Sequence, residues 1–405
     1  MTGQRLRFFE KSLGQRHIVE PDKYLYKSPK AGHNLAVIGT GTMGQEHMYV
    51  ATLLGRARIH GIYDSRAHSM DIAEDNFKRY CNDTLVRYGS LQEACMDPDI
   101  DAVMICTPNH THFDILSVAM GTGKPIFLEK PMATSIEDAK SIVDACERYE
   151  AFVQLGLQYR YKSQYIEALH ELKQRKSLGS LKTMSLSEHR PPFLDKVDQW
   201  NKFNQNTGGT LVEKCCHYFD LMNLMADAAP IRVYASGGQA VNFVDFTRDG
   251  AASDIDDHAF IIIDYANGVR GNFTLNMFCH DFTEDLTLCG DVGRLTANEV
   301  FNVHQRQPSK ATISLQLGEG GASKESDVTY SRDIEESGHH GATYFEHIAF
   351  IDQMEGKATQ SATPLQGLWS MIVAFAAQAS IAEGQVIHIN AVSYTHLTLP
   401  TMFEV

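Results

Sequence analysis

The sequence predicts an α/β chain: a doubly wound parallel sheet first, then an α+β domain with a largely antiparallel open sheet. Three observations carry that expectation. Short apolar strands alternate with helix-like segments from residue 33 to 156, a glycine-rich turn closes the first strand, and beyond residue 157 the connections tighten into hairpins.

The first half reads as strands HNLAVIG (33–39), RIHGIYD (58–64), LVRYG (85–89), AVMICTP (102–108), PIFLE (125–129) and AFVQLG (151–156). Helical segments fall near 66–80, 111–121 and 135–149. Ser135 stands at an N-cap position, and Asp138 three residues on loosely imitates a capping box. Strand and helix in alternation specify parallel strands joined by crossovers.

After that the pattern changes. A helix over 161–174 leads to a strand near 181–189, and a helix is expected in GGTLVEKCCHYFDLMNLM (208–225). DHAFIIIDY and VRGNFTLNMF flank Ala266-Asn267-Gly268, and Asn-Gly is the strongest short hairpin signal. DLTLCG and GRLTAN flank Asp291-Val292 in the same way. Residues 303–340 are polar, rich in Gly and Ser, and receive no assignment; helices return at 342–354 and 368–383. The expected division is an extension (1–32), a dinucleotide-binding domain (33–156), a substrate and oligomerisation domain (157–390) and an atypical tail (391–405). That tail continues no earlier pattern and reads as a terminal strand or a non-native end.

The 405 residues are 43% hydrophobic and 21% charged, with a net charge of −14. So acidic a chain is a poor partner for nucleic acid, which needs a basic footprint. Its eight cysteines are thinly spread and form no C-x-x-C pair, as expected for reduced thiols in the cytoplasm. The N-terminus lacks a signal-peptide core, and the apolar stretch near 371–382 reads as too short and polar to span a bilayer. No membrane partner is expected.

The first strand runs into Gly39-Thr40-Gly41-Thr42-Met43-Gly44, a G-x-G-x-x-G turn opening a helix. Gly39 permits the tight turn, Gly41 a close approach of a pyrophosphate, and Gly44 close helix–strand packing. The helix start offers free N–H groups to phosphate. Asp64, twenty residues past Gly44 at the end of the second strand, suits the adenosine ribose hydroxyls and favours NAD. Ser65 and Arg66 follow it, and the arginine leaves NADP open. This is a Rossmann fingerprint in its full context.

Glu129-Lys130-Pro131 then follows the fifth strand. With CTPNHTH (106–112), GLQYRY (156–161), GGTLVEKCCHYFD (208–220) and LCGDVGRL (288–295), it resembles the glucose–fructose oxidoreductase/inositol dehydrogenase (Gfo/Idh/MocA) family over residues 33–390. The resemblance implies an NAD(P)-dependent oxidoreductase acting on a secondary hydroxyl of a polyol, cyclitol, sugar or sugar acid. It implies that Lys130 contacts the substrate hydroxyl and the nicotinamide ribose, beside Glu129. Glu213 and His217 fall where the family has an Asp-x-x-x-His pair. Thr107, Pro108, Asn109 and His112 match a loop on the nicotinamide side, Gln158 a polar residue near the carboxamide, and Arg160 a substrate contact. Two relatives of other kinds keep alternatives open: NAD-dependent glycosidases and a dinucleotide-sensing regulator.

The chemistry of the residues agrees. Alcohol oxidation needs a hydride acceptor and a base for the hydroxyl proton. A histidine side chain suits that base role, which makes His217 the natural proton acceptor; an ammonium at Lys130 would stabilise an alkoxide, and Glu213 stands i,i+4 from His217 on one expected helix. Cys215 and Cys216 lack the paired spacing of a zinc site, and no metal is expected. Lys214 reads either as solvent-facing or as a second cation for an anionic substrate. Trp200 is open between stacking on a sugar ring and packing. The uncovered face of the antiparallel sheet predicts a homodimer or homotetramer.

Overall fold

In the computed structural model, which describes residues 31–302, 308–321 and 323–389, the chain folds as two units. The first unit begins with β1 (His33–Ile38), α1 (Thr42–Leu54), β2 (Ala57–Tyr63), α2 (Ala67–Phe77), β3 (Val86–Arg87) and α3 (Leu91–Met96). It continues with β4 (Ala102–Ile105), α4 (His112–Met120), β5 (Ile126–Glu129), α5 (Ile136–Cys146) and β6 (Val153–Gly156). All neighbouring strands are parallel, in the order β3-β2-β1-β4-β5-β6. Strands β4, β5 and β6 are buried at every position, as a parallel sheet covered on both faces requires. The strand order reverses between β1 and β4, the switch point at which such sheets bind ligands beyond their carboxyl ends. The Ser135 hydroxyl caps α5 by accepting the Asp138 N–H at 3.1 Å. Only Val86–Arg87 of the expected third strand pairs, as suits an exposed edge.

The second unit starts with α6 (Ser163–Leu169) and β7 (Leu181–His189), followed by α7 (Cys216–Ala226) and β8 (Pro230–Gly238). A small ribbon of β9 (Thr247–Arg248) and β10 (Ala251–Ala252) precedes β11 (His258–Tyr265), β12 (Arg270–Asn276), β13 (Phe282–Gly290), β14 (Gly293–Phe301), β15 (Lys310–Leu317) and β16 (Lys324–Asp327). Nine strands form one sheet in the order β16-β15-β14-β13-β7-β12-β11-β8-β17, where β17 is Ile387–His388. Only the β7–β12 pair is parallel. Both expected hairpins form, β11–β12 and β13–β14. Helix α7, buried at all 11 positions, packs Tyr218 and Phe219 onto Phe273 of β12. The opposite face leaves Phe260, Ile262 and Tyr234 exposed, the last two being direct cross-strand partners.

The units are not consecutive in sequence. Residues 333–368 join residues 31–161, and residues 369–389 join residues 162–332, so each unit is built from separate stretches of sequence. Helix α8 (Ala342–Met354) belongs to the Rossmann unit, where Phe350 sets its ring against Phe127 at 5.7 Å. An amphipathic helix follows whichever apolar surface matches its face, whatever its sequence distance. Helix α9 (Pro364–Glu383) is longer than the apolar stretch read from sequence. By length and composition it could cross a membrane, but 61% of its apolar window is buried inside the protein. The tail 391–405 and residues 1–30 lie outside the described residues.

Candidate functional site

The glycine turn has the shape a dinucleotide requires. A Cβ on Gly39 would meet the Cys106 carbonyl at 2.7 Å, and one on Gly44 would overlap the Gly39 carbonyl oxygen. Those two glycines are demanded by the protein's own packing. At Gly41 a Cβ would find no atom within 4 Å, so the backbone there faces open space at the start of α1. Asp64 is fixed rather than loose. Its Oδ2 accepts the Thr40 N–H at 2.9 Å, and its Oδ1 accepts the Arg66 N–H at 2.9 Å. These features fit the cofactor: open backbone for the pyrophosphate and a pre-positioned carboxylate for the ribose.

Beyond β4 and β5, the loops are cross-braced. His112 is buried, with Nδ1 2.8 Å from the Pro131 carbonyl and Nε2 2.9 Å from the Thr107 carbonyl. Burial pulls its pKa below the usual histidine value. The ring therefore ties the CTPNHTH loop to the EKP segment. The Thr111 hydroxyl donates to Thr107 Oγ1 at 2.8 Å and follows Pro108 into the turn Asn109–Thr111. Among the described residues of this unit, three buried amides have side-chain polar atoms without a hydrogen-bond partner: Asn109 at Nδ2, Gln154 at Oε1 and Gln158 at both. Such groups are costly unless something polar meets them. Gln158 and Arg160 lie together on the turn Gln158–Tyr161. Lys130, joined to Pro131 by a cis peptide, is half-buried at the end of β5.

In the second unit the stretch 210–226 differs from expectation. It is two helical pieces, Thr210–Glu213 and α7, broken at Lys214-Cys215. Glu213 closes one piece and His217 lies in the first turn of the other, so the simple i,i+4 helix face does not apply. Two contacts accompany the break. The Glu213 carbonyl takes the Cys216 thiol at 3.7 Å, and Lys214 is drawn aside to Glu188 of β7 at 3.0 Å. Lys214, 6% exposed, is thus neither solvent-facing nor a spare cation. Burial, reinforced by Glu188, pushes the Cys215 thiol well above its usual pKa, which disfavours thiolate chemistry. His217 is 2% exposed.

Beneath this turn runs a row of three buried glutamates. Glu188, Glu284 and Glu299 are direct partners across β7, β13 and β14. Like charges opposite one another destabilise a sheet. Here Lys162 pairs with Glu284 at 2.7 Å and also with Glu299. Glu284 further accepts Tyr165 and Tyr218 hydroxyls at 2.8 Å each and Gln164 at 3.1 Å. Lys214 and Tyr218, flanking His217, are therefore both anchored to this row.

The stretches around residues 195–202 and 243–246 are clamped to each other. Lys202 holds its ammonium 4.4 Å from the Phe243 ring centre and 4.3 Å from that of Phe246, with Asp195 at 2.9 Å. Trp200 sits half-buried in the same turn, its carbonyl accepting the Asn206 side chain at 3.0 Å.

Residues 33–157 match the oxidoreductase family's NAD-binding Rossmann fold, and residues 171–389 match its C-terminal alpha/beta domain. The chain belongs to the Gfo/Idh/MocA oxidoreductase family. It is an NAD-dependent oxidoreductase. Among relatives, it is 27% identical over 248 residues to the rhizopine catabolism protein MocA of Rhizobium meliloti, covering 60% of this chain and 70% of that one. It is 22% identical over 271 residues to a myo-inositol 2-dehydrogenase of Thermotoga maritima, covering 66% and 75%. A levoglucosan dehydrogenase solved with NADH and levoglucosan shares the fold, with a TM-score of 0.72 and 19% identity over 88% of this chain and 99% of that one.

Within this Gfo/Idh/MocA chain, sequence reasoning singled out the glycine turn, Asp64, the EKP segment, Gln158, Glu213 and His217. It missed His47, Lys162, Lys202 and the three glutamates. A signal for the glutamates was present. Glu188 is in phase with Met184 and Leu186, Glu284 with Leu286 and Leu288, and Glu299 with Leu295 and Ala297. An acid in phase with the inward positions of a strand is a buried acid.

Proposed function

We infer that this chain oxidises a secondary hydroxyl of a cyclitol, polyol, sugar or sugar acid. The observation that carries this reading is Glu129-Lys130-Pro131 at the carboxyl end of β5, beside a glycine cradle that fits a dinucleotide. Similarity to an inositol dehydrogenase and a levoglucosan dehydrogenase supports a carbohydrate-like substrate. Bound NAD would supply the hydride acceptor.

The protein's own residues do the rest. Backbone amides from Gly39 to Gly44 hold the pyrophosphate, and Asp64, with Ser65 and Arg66, holds the adenosine ribose and favours NAD. Asn109 and Gln158 offer their buried amides to the nicotinamide side, while His112 keeps the Thr107-Pro108 loop in place. The Lys130 ammonium donates to the substrate oxygen and stabilises the alkoxide. His217 accepts the hydroxyl proton on its ring, and Glu213 favours the imidazolium so formed. Arg160 and Trp200 hold the substrate. A second copy of the chain covers the sheet face that bears Tyr234, Phe260 and Ile262; a monomer by light scattering contradicts this.

A panel of cyclitols, polyols, sugars and sugar acids, followed by NADH and NADPH absorbance, tests the reading. Turnover of at least one with NAD is expected, and Lys130→Ala should lower kcat roughly a hundredfold or more. Failure to bind either dinucleotide, or full activity in that variant, ends the proposal.

A further inference from the structure

The Rossmann unit contains a buried chain of groups that the hydride-transfer chemistry does not use. Glu129 accepts the Lys130 backbone N–H through Oε2 at 3.0 Å, and its Oε1 lies 2.7 Å from His47 Nε2. His47 stands on α1, three residues past Gly44, and its Nδ1 lies 2.8 Å from His347 Nε2 on α8. All three side chains are buried.

We propose that His47 and His347 are positioning residues for Lys130, acting through the Glu129 carboxylate. This rests on the catalytic reading of Lys130 given above.

Proton accounting supports it. Each contact in the chain needs one proton between its two atoms. With Glu129 ionised, His47 carries a proton on Nε2, and a neutral His47 then accepts at Nδ1 from His347 Nε2–H. The donor order runs His347, His47, Glu129, and the second carboxylate oxygen stays an acceptor for Lys130 N–H. Were His47 to take up a second proton, His347 would have to move its own to Nδ1. No heavy atom need shift for this. Burial, and His47 beside it, hold the His347 pKa well below the usual value, so that ring is the neutral end of the chain. Burial alone would raise Glu129, but the hydrogen bond from His47, with the Lys130 charge nearby, keeps it below the usual carboxylate value.

Charged neighbours face this chain from each element packed against it. Helix α1 contributes Glu46, whose carboxylate accepts Thr343 Oγ1 at 2.7 Å and lies 2.7 Å from His339 Nδ1. Helix α8 contributes Glu346, a buried carboxyl with no hydrogen-bond partner for either oxygen. Burial first, then the Glu129 and Glu46 charges, push Glu346 well above its usual pKa against Arg160 and Lys130. Cys106, after β4, is likewise pushed up by burial and by the same carboxylates. In such surroundings an apolar residue at 47 would leave Glu129 buried without its side-chain donor, a strongly unfavourable state.

The test measures kcat, KM and NAD affinity against pH for the full chain and for His347→Leu, His347→Gln and His47→Gln, using the best alcohol from the panel. Gln at 347 retains an N–H near the place of Nε2, whereas Leu does not. His347→Leu should lower kcat roughly ten- to a hundredfold and shift the acidic limb of its pH profile, with NAD affinity changed less than about twofold. His347→Gln should recover most of that loss. An unshifted profile in His347→Leu, or a Gln variant as slow as Leu, overturns the proposal. If His347→Leu does not fold, His47→Gln keeps a donor to Glu129 and loses the link to His347; a shifted profile supports the proposal and an unshifted one overturns it. Lys130→Ala separates the two readings. If it is inactive while the histidine variants match the parent, only the positioning role falls; if it is fully active, the reading of Lys130 itself falls.

Discussion

Each unit buries a polar network beneath a candidate catalytic residue, and the two networks are built from opposite materials. Under Lys130 lies a chain of imidazoles ending on one carboxylate, Glu129. Under the His217 turn lies a row of three carboxylates, matched by Lys162 at Glu284 and Glu299 and by Lys214, with Arg190 at 3.6 Å, at Glu188. Imidazoles can be buried neutral and can exchange tautomers, so the first network needs few counter-charges and responds to pH. Fixed charges must be matched group by group. The first network can tune its residue; the second can only hold it.

That contrast breaks most visibly at Lys162. Lys162→Met leaves Glu284 and Glu299 facing each other in the sheet, and urea unfolding should show a loss of roughly 3–5 kcal/mol. The loss should grow as pH rises, because without the ammonium one of the two facing buried carboxyls is favoured in its protonated form. A loss that does not change with pH would show that the two carboxyls share no proton once the lysine is gone.

Glu346→Gln tests the other side. The folded-state pKa of Glu346 is raised, so its contribution to stability is complete below the unfolded value of 4.5 and is lost as pH rises through the folded value. The Gln variant should gain in thermal stability relative to the parent as pH rises, and the gain should fade in acid. A difference independent of pH would show that Glu346 is not held protonated. For His347 the sign is opposite: its folded pKa is depressed, so its share of stability is lost as pH falls below about 6.5 toward that lower value.

The smallest effect is expected at Tyr218→Phe. It removes one of several donors to Glu284, and chemical denaturation should register about 1 kcal/mol. A loss matching that of Lys162→Met would mean that hydroxyls, rather than the ammonium, hold the glutamate row together.

Much of the first unit was legible from sequence, because its signals are local. Gly39 and Gly44 are required by contacts within one strand–turn–helix segment, and Ser135 caps its helix through a residue three positions away. The Asn267-Gly268 hairpin is equally local, with Gly268 at φ 87°. The expected single helix at 208–225 was not legible as two. Its break is accompanied by a contact from Lys214 to Glu188, a residue of a distant strand. Lys214 could not be assigned from its neighbours alone for the same reason.

By itself, then, the sequence determined the periodicities, the turns and the short motifs: the parallel sheet, the glycine cradle, Asp64, the EKP segment and the hairpins of the second sheet. Only the tertiary structure decided which distant residues back them. His347 reaches His47 across 300 positions, and Glu284 meets Lys162 across 122. Local dihedral preferences and hydrophobic period are written in adjacent residues. The partner of a buried charge is chosen by whatever packing brings within hydrogen-bond reach, and no spacing rule records that.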